Sequence, residues 1–340
     1  MAQSLMEQEI LQSAAVLATQ ADNTAISDMA AKLAAEPPAL WLTVARGTSD
    51  HAAEYLSYWL MRYCGIPALS VPLSLNTIYQ SPWQLEKAQL LAISQSGGSQ
   101  DLLESVKNMR RAKDVRSLAL VNVIDSPLAH ACEHAIDIGA GKEKSVAATK
   151  SFIATLGAGL RLLSPLLKDK DLDAAIAALP EKIRQAEALD WSKALDSLQD
   201  ISRLYVVGRG AGMSIAKEAA LKFKETCLVQ GEGFSGAEVQ HGPMALMNKE
   251  QVALFLAPPD ETQAGLLETA ARFRQMGAKV LVAADDSVAE RDLPLIDAGH
   301  PALQGLCSIQ SFYRMVEKLS KARGINTDNP PNLQKVTSTQ

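Results

Sequence analysis

The sequence predicts an α/β protein built from two doubly wound parallel sheets, each flanked by helices. Three observations carry that prediction. Short apolar runs alternate with amphipathic segments, the pattern of parallel strands covered on both faces. Several runs end in glycine or hydroxyl residues and lead directly into a helix-like stretch. The alternation also restarts near residue 201, so "VARGTS" (44–49) has a counterpart in "VVGRGAG" (206–212), as in a duplicated unit. A chain of 340 residues is long enough for two such cores.

Residues 4–35 have helical apolar spacing with a break near Asp22-Asn23, which predicts two helices. "ALWLTVAR" (39–46) reads as a buried strand ending at Gly47-Thr48-Ser49, with a helix to about Tyr63. Strands are predicted at 68–73, 88–94, 117–123 and 135–140, with a helix at 99–112 and a long one at 147–168. Residues 169–200 are helical, charged and alanine-rich, and read as a connection punctuated by Pro165 and Pro180. In the second half, strands are predicted at 203–210, 252–258, 279–285 and 293–299, with helices at 212–228 and 303–322. Two stretches escape the alternation: a glycine-rich polar segment at 229–246, and the tail 324–340. Long polar loops in compact domains often carry function.

Composition narrows the function. Net charge is −5 and Lys and Arg are dispersed, so no nucleic-acid footprint is expected. The N-terminus lacks a basic region, and Glu7 and Glu9 interrupt its apolar residues, unlike a signal peptide. No long uncharged apolar run predicts a membrane span. Cys64, Cys132, Cys227 and Cys307 are widely spaced, with no metal-ligand pattern. Free thiols in a reducing cytoplasm, with no metal and no cofactor, are the expectation.

Ser94-Gln95-Ser96-Gly97-Gly98-Ser99 stands at a strand's C-terminal end and precedes a helix. Glycines there let the backbone approach an anion, and the helix N-terminus supplies N–H donors. The alternative is a Ser/Gly turn in which Ser99 caps the helix. It is not the nucleotide P-loop, which requires a lysine after its last glycine. Gly208-Arg209-Gly210-Ala211-Gly212 hints at a dinucleotide fingerprint, but its third glycine falls one position early. No G-x-S-x-G elbow anchors a hydrolase triad. In "EAALKFKETCLVQ" (218–230), Glu218, Lys222 and Glu225 share a helix face. They form either a solvated ion-pair helix or, with His241 in the loop that follows, an acid/base set.

"GTS" (47–49), "SQSGGS" (94–99), "EKSVAATKSF" (143–152), "ALKFKE" (220–225), "GAEVQHGPMAL" (236–246) and "DNPPNLQKVT" (328–337) occur in that order. Together they resemble the isomerase part of glucosamine-6-phosphate synthase, which is two sugar isomerase (SIS) domains in tandem. The resemblance covers nearly the whole chain. It implies tandem SIS domains at 1–168 (with the N-terminal helices) and 201–323, a helical connection at 169–200, and a tail at 324–340 completing the active site. It implies that Ser94, Gln95, Ser96 and Ser99 bind phosphate and that Ser49 and Val146 contact the sugar. By the same resemblance Glu225 is the base between C2 and C1, and His241 is the ring-opening acid/base donated across a homodimer interface. Lys222 is a pocket lysine and Lys335 the tail lysine that forms a Schiff base. Ala148 stands where the synthase has a serine, and Pro331 where its tail has an arginine.

The synthase also carries an N-terminal glutaminase half, whereas this chain opens "MAQSLMEQ" and enters its first helices. The expectation is therefore an SIS-type deaminase that turns glucosamine 6-phosphate and water into fructose 6-phosphate and ammonia. The alternatives are a deaminase, deglycase or isomerase for galactosamine 6-phosphate or a fructosamine phosphate, and a non-catalytic sugar-phosphate sensor.

Overall fold

The computed structural model of the chain describes residues 3–335. Positions 336–340, the end of the predicted tail, lie outside the described residues. The chain divides into two compact units. Among the described residues the first comprises 15–143, 150–176 and 334–335; the second comprises 3–14, 144–149 and 177–333. The chain opens with α1 (Leu5–Ile10), α2 (Ser13–Thr19) and α3 (Thr24–Ala35), three helices where two were expected; the predicted break near Asp22-Asn23 is present as a short 3-10 turn at Gln20–Asp22.

In the first unit β1 (Leu40–Val44), α4 (Thr48–Cys64), β2 (Ala68–Ser70), α5 (Ser74–Thr77), β3 (Ala88–Ser94) and α6 (Gln100–Met109) follow in order. β4 (Val115–Val121), α7 (Pro127–Ala131), β5 (His134–Asp137) and α8 (Lys150–Leu167) complete it. The sheet is five-stranded in the order β2-β1-β3-β4-β5, and every pairing is parallel. All seven residues of β3 are buried, because helices cover both faces of a central parallel strand. Leu42, Leu90, Leu102, Val106 and Leu128 pack on one of those faces. Each such side chain contributes about 1.5–3 kcal/mol of burial.

α9 (Lys170–Glu187) and α10 (Ser192–Leu198) lead into the second unit. There β6 (Arg203–Gly208), α11 (Gly212–Cys227), β7 (Gln230–Ser235), β8 (Val252–Ala257) and α12 (Gln263–Gln275) succeed one another. β9 (Lys279–Ala284), β10 (Leu293–Pro294) and α13 (Pro301–Ala322) follow. This sheet is also parallel and five-stranded, in the order β10-β9-β8-β6-β7. Taken from β7 to β10, the order repeats that of the first sheet, so β6 corresponds to β1 and β8 to β3. The predicted fold class and its duplication are both present.

Two further expectations need correction. Pro165 and Pro180 lie inside α8 and α9 and end neither helix. Each removes one intrahelical hydrogen bond, but Leu162, Leu163 and Leu166, and Leu172, Ile176 and Leu179, are buried, which holds each helix through the interruption. The polar segment at 229–246 is not all loop, since its first part is the edge strand β7. Gly231 and Gly233 alternate onto the face that meets α11. A Cβ at Gly231 would lie 2.7 Å from the Ala220 carbonyl oxygen, and one at Gly233 2.8 Å from the Lys217 Cα. Close helix packing selects glycine there, and glycine hides the strand from a propensity reading.

Candidate functional site

In doubly wound sheets a crevice opens where strand order reverses, beyond the strands' C-terminal ends. In the first unit that point lies between β1 and β3. β3 ends at Ser94 and the chain turns through Gln95–Ser99 into α6. Ser94 Oγ accepts from the Gly97 N–H at 3.1 Å, and Ser96 Oγ accepts from the Gly98 N–H at 3.3 Å. Gly97 has φ +62°, and a Cβ there would fall 2.0 Å from Ser126 Oγ, so only glycine fits. Ser99 occupies the N-cap position without a side-chain capping bond. The simple capping alternative for Ser99 therefore fails. Gln95, Ser96 and Ser99 are half-buried, while Ser94 is buried.

From the other side of the switch point come the residues after β1. Ser49, half-buried, sits in the first turn of α4. Arg46 Nε donates to the buried Asp101 carboxylate at 2.9 Å, linking the β1 turn to the first turn of α6. Sequence reasoning missed that pair, whose partners are 55 residues apart. The first unit also holds Lys335. Its ammonium donates to Glu143 Oε2 at 3.2 Å. Glu143 is buried and also accepts from the Ser151 N–H at 3.1 Å and the Ser151 Oγ–H at 2.6 Å. Lys150, equally buried, donates from Nζ to the Lys142 carbonyl at 2.7 Å. The "EKSVAATKSF" motif thus contains a built carboxylate acceptor for Lys335 that had not been singled out.

The second unit carries Val146, Lys222, Glu225 and His241. Val146 lies in the 144–149 segment, half-buried. The buried Glu9 of α1 anchors this segment by accepting from the Lys144 and Ser145 N–H groups. On α11, the Lys222 ammonium lies 3.2 Å from Glu218 and forms a short bond to Glu225. Glu218 and Lys222 are wholly buried, whereas the Glu225 side chain is 22% exposed. Tyr313 of α13 donates its hydroxyl to Glu218 at 3.0 Å. This burial overturns the solvated ion-pair alternative. Burial alone would lower the Lys222 pKa, but the flanking Glu218 and Glu225 carboxylates outweigh it and push it up to about 12. Lys222 is therefore a fixed cation at neutral pH rather than a nucleophile. Glu225 is the outer, accessible end of the row. His241 is exposed and follows the 3-10 turn Glu238–Gln240, its N–H bonded to the Glu238 carbonyl at 2.9 Å. Spacing alone revealed the α11 row; Tyr313 left no sequence signal because only tertiary packing brings it there.

Among the described residues no group of three or more His, Cys, Asp or Glu is placed to hold a metal ion. No helix among them is long and apolar enough to cross a membrane. Cys64, Cys132, Cys227 and Cys307 are all free.

Two parallel sheets of matching strand order, one with a serine-glycine turn at its strand-order reversal, define a tandem α/β protein. Comparison with known proteins specifies the family. The SIS domain model matches residues 41–164 and 197–303. The isomerizing glutamine–fructose-6-phosphate aminotransferase of Acinetobacter baylyi is 31% identical over 321 residues, covering 86% of this chain and 51% of its own. The chain thus spans about half the length of the curated relatives it matches. A protein of Silicibacter pomeroyi DSS-3, provisionally assigned as a phosphosugar isomerase, superposes with a TM-score of 0.90 at 37% identity, covering 96% of this chain and all of its own. A glucosamine-6-phosphate deaminase from Thermotoga maritima shares the fold, with TM-score 0.77 at 20% identity over 99% of this chain and 100% of its own. The chain belongs to the SIS domain family, with two such domains in tandem.

Proposed function

We propose that this chain is a phosphosugar isomerase that acts as a deaminase, converting glucosamine 6-phosphate and water to fructose 6-phosphate and ammonia. The observation that carries the reading is the α11 row, in which a buried, charged Lys222 holds the carboxylate of the partly exposed Glu225. A carboxylate so placed suits proton transfer between neighbouring carbons. The relatives' names, one an isomerizing glutamine–fructose-6-phosphate aminotransferase and one a provisionally assigned phosphosugar isomerase, support the same chemistry.

The Ser94–Ser99 turn grips the 6-phosphate, and Ser49 and Val146 contact the sugar. His241 protonates the ring oxygen while the anomeric hydroxyl loses its proton, which opens the ring to the C1 aldehyde. Glu225 takes the C2 proton, now acidified by the carbonyl, and an enolamine forms. Returning the proton to C1 gives the ketimine. Water adds to C2 and ammonia departs, leaving the ketose phosphate. Alternatively the Lys335 amine adds to C2 first, expels ammonia and is itself released by water. A homodimer that donates His241 across its interface, and a reducing cytoplasm, complete the proposal; the four free thiols are in keeping with that setting.

Ala148 and Pro331 depart from the serine and arginine of the synthase-like pattern, so a second reading keeps the chemistry and changes the sugar, with galactosamine 6-phosphate or a fructosamine phosphate as the substrate. A panel of these phosphosugars, read by release of ammonia or amine and of the ketose phosphate (from a 2-amino sugar) or aldose phosphate (from a fructosamine phosphate), tests both. Turnover of glucosamine 6-phosphate is expected. Binding without turnover of any member would leave a sensor and overturn the enzyme.

A further inference from the structure

The second sheet repeats the first, and so does its crevice. Beyond the C-terminal ends of β6, β7 and β8 lies a cavity of about 440 Å³, within the roughly 300–1,000 Å³ typical of small-molecule sites. It occupies the position that the Ser94–Ser99 crevice occupies in the first unit, at the switch between β6 and β8. None of the residues given a role above lines it. Its polar walls include Arg209, Gln240, Glu261, Thr262, Glu268 and Arg272.

The chemistry of this crevice differs from that of its counterpart. In place of serines and glycines, β8 is followed by Pro258-Pro259-Asp260-Glu261-Thr262. Asp260 accepts from the Thr262 N–H at 2.7 Å and from its hydroxyl at 2.6 Å, so a carboxylate of the chain already serves the start of α12. An anion here would be met by the two guanidinium groups instead. Arg209 donates to Ser235 Oγ at 3.4 Å, a weak contact, and Arg272 donates to the Gln240 side-chain oxygen. Both are exposed to the crevice mouth, and arginine matches phosphate in a bidentate fork. Glu261 and Glu268 supply acceptors of the opposite sign, suited to hydroxyls and an amine.

We propose that this cavity is a second small-molecule site, which binds a phosphorylated polyol carrying an amine: phosphate on Arg209 and Arg272, hydroxyls and amine on Glu261, Glu268 and Thr262. The wall also joins the cavity to His241. Gln240 is the residue before it, and its side chain donates to the Gly236 carbonyl at 2.9 Å and to Thr269 Oγ1 at 3.3 Å. A phosphate that takes Arg272 competes with the Gln240 oxygen and loosens the turn presenting His241. This coupling, unlike the binding, rests on the role of His241 proposed above.

Gly265 makes the test clean. It lines the cavity within α12, and a Cβ built there meets nothing within 4 Å. Gly265→Leu therefore obstructs the site while improving helix propensity. The probe is 2-amino-2-deoxyglucitol 6-phosphate, which lacks the C1 carbonyl and cannot turn over. Calorimetry on the full chain should show, besides any probe taken up at the Ser94–Ser99 turn, one equivalent that Gly265→Leu removes and that Arg272→Met weakens by about tenfold or more. Glucitol 6-phosphate, without the amine, should occupy the same equivalent more weakly. If Gly265→Leu and Arg272→Met bind as many equivalents as the native chain, with unchanged affinity, the site does not exist. Equal affinity for the two probes would overturn the amine assignment. The result is independent of catalysis: a native chain that releases no ammonia but keeps a Gly265-sensitive equivalent would sink the deaminase and leave this site standing.

Discussion

The Lys335 ammonium donates to the Glu143 carboxylate at 3.2 Å, although 192 residues separate them. The carboxylate is fully buried and the lysine side chain is 26% exposed. A tail lysine is thereby held on an acceptor that two further donors from Ser151 keep in place. Glu143→Ala strands those donors, at a cost of about 1–3 kcal/mol, and frees the lysine. Urea denaturation and steady-state kinetics together check this: reduced stability with a lower rate is expected, whereas Glu143→Gln should recover much of the stability and little of the rate. Full activity in Glu143→Gln would detach the pair from function.

Glu225→Gln keeps the shape of the α11 row and removes the base. Ammonia release should fall by about 10²–10⁴-fold, with binding of the sugar phosphate within a small factor of native. Rates near native would assign the proton transfer elsewhere.

Lys222 gives a pH dependence with a definite sign. Its pKa in the folded chain, raised from 10.5 to about 12, lies above the unfolded value. Its pairing thus stabilises fully below 10.5, and that contribution is lost as pH rises through about 12. Lys222→Met leaves buried Glu218 uncompensated and should destabilise by about 3–5 kcal/mol near neutral pH. The gap between variant and native should narrow as the pH approaches 12. A constant gap would contradict the ion pair.

Gly97→Ala places a methyl group 2.0 Å from Ser126 Oγ at a φ of +62°. A loss of about 1–3 kcal/mol follows from the strained backbone, and the phosphate turn must shift. Thermal melts and phosphosugar affinity should both decline. Gly98→Ala, whose Cβ meets only Ser96 Oγ at 3.7 Å, is the mild control.

Thiol reactivity should be sharply graded. Burial pushes Cys132 and Cys307 up to about 12 and Cys227 up to about 11. Their thiolates are scarce at neutral pH, so alkylation should await unfolding. Cys64 is only half-buried and should react first, as peptide mapping after brief iodoacetamide treatment would show. Rapid labelling of Cys307 in the native chain would mean that α13 opens.

Strands with strong apolar runs were legible from residues alone; β3 spans the predicted 88–94. β7 was not, because its glycines answer to the backbone of α11 rather than to strand propensity. The prolines of α8 and α9 misled for a related reason, since burial of neighbouring leucines outweighs one lost hydrogen bond. Among the candidate site residues, the spacing of Glu218, Lys222 and Glu225 showed that they share a face. It could not show whether that face met water.

By itself the sequence determined two parallel α/β sheets, the serine-glycine turn after β3 and the row of charges on α11. Those follow from periodicity and local backbone chemistry, which act over a few residues. Only the tertiary structure decided that Lys222 is buried between carboxylates, that Glu143 receives Lys335, and that the second sheet keeps an open crevice. Each depends on groups distant in the chain, and burial and charge pairing arise only once folding has brought them together.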